Sequence, residues 1–247
     1  MDDPIEKARK AAYETNPYPK RFYETVTIVP EGAGFGVMLD EAPVRTPLKR
    51  GLVLPNADLA EMIAGEWEAH EERINPYIMP LTRLANSAID QIADDTQQVV
   101  DEITGYVGSD MLCYRADEPE LLATRQREYW DPILHDIEQM LDVKFVVING
   151  INHQRQADET IRIFKSSIAL ASPFQLAAMQ LVTSLTGSGL LAYGLYAGAL
   201  GQATAWDAAH VDEDWQISQW GADAEARDRR ATRLLEFNAA CNVLRVC

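Results

Sequence analysis

From Ser166 to Trp206 the chain carries not one charged residue. A run that long and that apolar has to leave water, either into a bilayer or into a protein core. Leu176 to Leu200 is long enough to span, and Gly194 and Gly198 form the GxxxG spacing that lets membrane helices touch. The interior of the run argues the other way. Gln175, Gln180, Thr183, Ser184, Thr186 and Ser188 scatter polar groups through it, and Gly187 and Gly189 break it in the middle. The expectation is two buried helices of a soluble core, with no membrane insertion and with small residues serving close helix packing. Ser172-Pro173-Phe174-Gln175 marks the start, because it combines a capping box with proline at the first helical position.

The start of the chain has a different period. Residues 4–14 read as a short helix and Asn16 to Pro19 as a linker. Phe22 to Val29 then alternates as a strand, Glu31 to Gly34 is a turn, and Phe35 to Leu39 a second strand. Val44 to Thr46 and Leu52 to Leu54 are further extended pieces, punctuated by Pro43, Pro47 and Pro55. From Asn56, a helix cap, the period is helical: to about residue 72 with Leu59, Ile63 and Trp67 on one face, then Pro80 to Ile92 with Leu81, Leu84 and Ala88. Asp95 with Gln98 caps a helix from Thr96 to about Val107. Pro119 to Trp130 reads as one helix, and Asp131-Pro132 as the start of another to about residue 142. Phe145 to Ile148 is an extended stretch that could edge the N-terminal sheet or form a small hairpin. Ala157 to Ala169 and Ala222 to Val243 are helical, the last anchored by Leu234, Leu235 and Phe237. The fold class is therefore α+β: a small antiparallel β-rich N-terminal domain with a short helix (1–56), then a larger all-α domain (57–247).

Charge narrows the partners. The net charge is −16, so nucleic acid is not an expected partner. Residues 1–50 hold eight basic and eight acidic side chains, so the helical part carries the whole excess. Cys113, Cys241 and Cys247 are odd in number and far apart, as expected of free thiols in a reducing compartment. The N-terminus lacks an apolar signal core and is too acidic for a transit peptide.

Catalytic signatures are missing. His70, His135, His153 and His210 form no HExxH, no Cys–His spacing suggests zinc, and no GxGxxG or Walker loop offers a phosphate cradle. The expectation is no catalytic residue, no metal and no cofactor.

Trp206 to Gly221 (WDAAHVDEDWQISQWG) reads as one helix. Trp206, Ile217 and Trp220 share an apolar stripe with Ala209 or His210, which makes Trp220 a structural residue. Glu213 falls on that stripe, where a carboxylate is costly unless paired. Trp215 points off it, beside Val211, with Asp212 and Asp214 flanking. These three acids cannot converge on one cation, because adjacent helical positions splay about 100° apart.

Three stretches together resemble a known family. They are Lys20-Arg21-Phe22-Tyr23 with Leu39-Asp40-Glu41-Ala42-Pro43-Val44-Arg45-Thr46-Pro47; Glu66-Trp67 with Met79-Pro80-Leu81-Thr82-Arg83-Leu84-Ala85-Asn86-Ser87-Ala88-Ile89-Asp90; and Asp212-Glu213-Asp214-Trp215-Gln216-Ile217 with Trp220-Gly221. In this order they are similar to the assembly chaperone of the F-type ATP synthase α subunit, and Asp110 to Arg115 also fits. The resemblance implies a non-enzymatic role, binding the unassembled α subunit and preventing its aggregation until the β subunit replaces it, in a bacterial cytoplasmic member or in the mitochondrial matrix for a processed form; a monomer is expected. A general holdase and an enzyme with a scattered active site are the alternatives. Asp212, Glu213, Asp214, Trp215 and Gln216 are the candidate partner-binding residues. The competing expectation pairs Glu213 internally, with His210 or Arg83. Arg45 is expected to bridge to the helical half, Trp67 to sit in the core, and Arg83 and Asn86 to serve as polar ties between helices or domains.

Overall fold

The computed structural model describes residues 18–150, 152–221 and 223–247; the helix expected over 4–14 and the first half of the NPYP linker lie outside them. Strands β1 (Val26–Glu31) and β2 (Gly34–Leu39) form an antiparallel hairpin with Val26 opposite Leu39 and Glu31 opposite Gly34. Gly32 turns it with φ +58°, a backbone region glycine enters without a Cβ clash. Two short strands, β3 (Ala42–Pro43) and β4 (Val53–Leu54), pair with opposite ends of β2. The first strand begins later than its sequence pattern suggests. The Asp40 carboxylate accepts the backbone N–H groups of Glu24 and Thr25 at 3.0 and 2.8 Å, which ties that stretch to a turn rather than to a ladder. Helix α1 (Ala57–Glu68) crosses β1 and β2 and buries Leu59, Ala60 and Ile63. Asn56 caps it, its side chain accepting from Leu59 N.

The helical part follows: α2 (Pro80–Asp90), α3 (Thr96–Val107), α4 (Glu120–Leu141), α5 (Asp158–Ile168), α6 (Pro173–Thr186), α7 (Gly189–Tyr196), α8 (Gln202–Ala209), α9 (Val211–Trp220) and α10 (Ala224–Val246). Helix α6 lies at its centre, against α2, α3, α7 and α10. The uncharged run supplies this centre: Leu176, Ala178, Met179, Val182, Leu190 and Leu191 are fully buried. Among the described residues no helix is long and apolar enough to cross a membrane. The Ser172 capping box is present, and Gly187, with φ +73°, ends α6. Gly189 permits a close approach, since a Cβ there would lie 2.9 Å from the Ile103 carbonyl oxygen. The GxxxG pair does not act as one packing face: a Cβ at Gly194 would meet Leu200 at 3.1 Å and Ile137 of α4 at 3.8 Å, whereas Gly198, with φ +70°, turns the chain.

Three expectations are corrected. Asp131-Pro132 does not start a helix; α4 runs through it unbroken. The Asp131 carboxylate pairs with the buried Arg115 instead of capping. Arg115 also donates to the Leu112 and Tyr114 carbonyls at 2.7 Å and lies 5.2 Å from the Trp130 ring centroid. Phe145 to Ile148 neither edges the N-terminal sheet nor forms a hairpin. The Gln156 side-chain amide takes both the N–H and the C=O of Val146, so this backbone has no ladder to join. Only β6 (Ile148–Asn149) is a strand, parallel to β5 (Tyr114–Arg115). In the last helix, Phe237 is buried as expected, but Leu234 and Leu235 are exposed.

A single hydrophobic cluster runs from Tyr23 in the sheet region to Val243 in α10. The Asn56 amide, at the junction of the two parts, donates to the Val246 carbonyl at 2.7 Å.

Candidate functional site

The stretch from Trp206 to Gly221 is two helices, not one. The chain breaks at His210, with φ −115° and ψ 13°. No Gly or Pro announces this break; buried contacts impose it. The His210 ring lies 4.0 Å from the Trp206 ring, and its Nδ1 is 2.7 Å from the Trp206 carbonyl oxygen. Trp206 packs on Phe237 of α10 at 5.0 Å, and Trp130 Nε1 donates to the Ala208 carbonyl at 2.8 Å, so α8 is held on both sides. Burial lowers the His210 pKa, Arg230 and Arg233 push the same way, and the Trp206 carbonyl and Glu213 oppose them.

Helix α9 carries the acidic run on this base. Its acids diverge, as helix geometry requires. Asp212 accepts from Gln126 Nε2 of α4 at 2.8 Å, and Gln126 in turn accepts the Ala116 N–H at 2.7 Å. Asp214 pairs with Arg230 of α10. Glu213 lies between these two anchors. Its side chain is 37% exposed, and its carboxylate stands 3.8 Å from His210 Nε2. Trp215 and Ile217 are half-buried and Gln216 is exposed. The structure thus brings Asp212 to Gln216 together on one short helix pinned on two sides. Trp220 is not on a buried stripe. Once the break at His210 rotates α9, Trp220 reaches solvent at 79% exposure.

The other candidate residues lie elsewhere. Trp67 is partly buried, edge-on to Tyr23 at 5.9 Å; its carbonyl accepts the Tyr23 hydroxyl, and its Nε1 has no partner among the described residues. Arg83 Nη2 donates to Glu236 Oε1 at 2.6 Å and so links α2 to α10 rather than to Glu213. Asn86 Oδ1, on the same face of α2, has no partner among the described residues. Arg45 is exposed and donates to the Lys49 carbonyl at 3.2 Å. The same loop reaches the helices through other side chains. Thr46 donates to Asp90 at 2.6 Å, and Arg50 donates to the Ile89 carbonyl at 2.8 Å and pairs with Asp94 at 2.6 Å.

Two acids in the quoted stretches have structural roles that spacing alone did not show. Glu66 accepts the Leu81 and Thr82 N–H groups at 2.7 and 2.8 Å and the Thr82 hydroxyl at 2.7 Å, and so caps α2 from α1. Asp110, fully buried, accepts from Leu112 N, Ser188 Oγ and Leu190 N at 2.8–3.1 Å and so fixes the start of α7. Among the described residues no His, Cys, Asp and Glu cluster could hold a metal ion.

Against known proteins, residues 20–138 match the family described as ATP12 chaperone protein. A curated relative, "Protein ATP12, mitochondrial" of Saccharomyces cerevisiae, is 23% identical over 87% of this chain and 81% of its own length. The solved structure of the Atu1473 protein from Agrobacterium tumefaciens is 45% identical, with a TM-score of 0.89 over 99% of this chain and 91% of that one. Atp12 from Paracoccus denitrificans, solved also as an aspartate-to-lysine variant, is 36% identical with a TM-score of 0.86, covering 92% of this chain and 97% of that one.

Proposed function

This chain belongs to the ATP12 chaperone family, whose work is ATP synthase assembly, and from that premise we propose that it is a non-enzymatic monomer that holds the unassembled α subunit of the catalytic sector until β replaces it. An unassembled subunit exposes the apolar surface it will later bury, and such patches aggregate. A holding protein has to cover that surface yet yield it to the native neighbour. An acidic, mixed polar and apolar face suits this, because complementary charge speeds encounter more than it deepens affinity.

The observation that carries the proposal is the setting of Glu213. Its two flanking acids are committed to α4 and α10, while Glu213 keeps a partly exposed carboxylate. We place Asp212 to Gln216 in the contact surface, with Glu213 the acid that meets the client. Work in the bacterial cytoplasm belongs to the same proposal.

The test is co-expression with the host α subunit in the absence of β, followed by size exclusion. A stoichiometric complex that dissolves when β is added supports the reading. An α subunit that stays insoluble overturns it, and protection of unrelated clients to the same degree replaces it with a general holdase. Turnover by the purified chain would restore the enzyme reading.

A further inference from the structure

A groove of about 310 Å³ runs between α2, α3, α6 and α10, with no residue of α9 in its lining. Leu84 and Ala177, both buried, and the half-buried Leu181 give it an apolar floor. Two acids stand over that floor. Glu236 of α10 has one oxygen on Arg83. Glu102 of α3 is exposed and accepts only the neutral Gln180 amide, at 2.6 Å, with no cationic partner among the described residues. The rim therefore holds two carboxylates and one guanidinium, in a chain of net charge −16. A groove of this volume suits a few side chains rather than a whole protein face.

We propose that this groove takes a segment of the client polypeptide that sets an apolar side chain on the Leu84–Ala177–Leu181 floor and a neighbouring lysine or arginine against Glu102. Charge complementarity selects a basic residue. Glu102 is the acid with no cationic partner among the described residues, and a cation there completes an ion pair without displacing Arg83 from Glu236. The groove makes the client contact two-sited: α9 offers one acidic surface, and this cleft takes a separate short segment. Two weak linked contacts hold more tightly than either alone, and releasing one frees most of that gain. The inference rests on the α subunit being the client.

A photo-crosslinking residue at Ser184, exposed on the groove rim, tests it in the co-expressed complex. The expected result is a crosslink to α at a segment with a basic residue next to an apolar one. A crosslink to a second copy of this chain, or none while wild type still holds α, overturns the groove. In parallel, the Glu102→Lys and Ser184→Trp variants are expected to keep the wild-type melting temperature and bind α at least tenfold more weakly. Folded variants that bind α as wild type does overturn the groove alone. Failure of wild type itself to hold α overturns the client reading, and the groove proposal with it.

Discussion

Arg83 Nη2 donates to Glu236 Oε1 at 2.6 Å, across most of the sequence, and fastens α2 to α10. Both side chains are partly exposed, at 42% and 24%, so the pair is screened and its worth is modest. A double-mutant cycle with Arg83→Ala and Glu236→Ala is expected to give a coupling of about 1 kcal/mol in urea unfolding. A coupling indistinguishable from zero would mean that α2 and α10 are held by apolar packing alone.

Glu213→Lys separates folding from client binding. The carboxylate is partly exposed, stands 3.8 Å from the His210 imidazole and interacts through space with Arg230. Stability should change by no more than about 1 kcal/mol, while the complex with α is lost. Loss of the native circular dichroism spectrum instead would return Glu213 to a purely structural role.

The tryptophans should divide sharply. Trp206 is buried against His210 and Phe237, so Trp206→Ala is expected to cost about 3–5 kcal/mol. Trp220, exposed at the end of α9, should tolerate Trp220→Ser within about 0.5 kcal/mol. Acrylamide quenching checks the same point spectroscopically. The quenchable fraction of the fluorescence should fall in Trp220→Ser.

Asp110 predicts a pH slope. Burial raises its carboxyl from 3.8 to about 6, despite the hydrogen bonds that favour the anion. Glu66 is raised for the same first reason. Between pH 4 and 6 the folded chain therefore binds more protons than the unfolded one, so these groups' contribution to stability falls as pH rises through that window. At roughly 1.4 kcal/mol per pH unit, the Asp110 part amounts to about 3 kcal/mol. Asp110→Asn should flatten the slope of urea midpoint against pH. It should also destabilise at pH 5, by about 1–3 kcal/mol, because an amide brings two N–H donors where the protonated carboxyl brings one O–H, against donors from Ser188 and Leu190. An unchanged slope in the variant would assign the titration elsewhere.

What could be read from the sequence was what depends on neighbours in the chain. The Asn56 cap, the Ser172 capping box and the Gly187 stop are local chemistry, and each stands where its pattern put it. The misreadings arose where distant partners overrode local signals. Asp131-Pro132 has the form of a helix start, but Arg115 claims the aspartate and packing carries the helix through the proline. The β-rich look of Phe145 to Ile148 is cancelled by one glutamine side chain on the Val146 backbone. The break at His210 comes from Trp206 and Phe237, not from any breaker residue, and it moved Trp220 from an expected apolar stripe to the surface. The acidic run was visible as a pattern. That its outer members would be spoken for by Gln126 and Arg230 was not, because those partners are far away in sequence.

Glu66 in α1 supplies the acceptors for the first turn of α2, where Leu81 and Thr82 would otherwise have bare N–H groups. A polypeptide begun at Pro80 would lack that acid and start with a frayed end, however complete the rest of its helices. The sheet-side helix is thus a template for the first helix of the larger part, and an autonomous fragment for biophysical work has to begin upstream of Glu66.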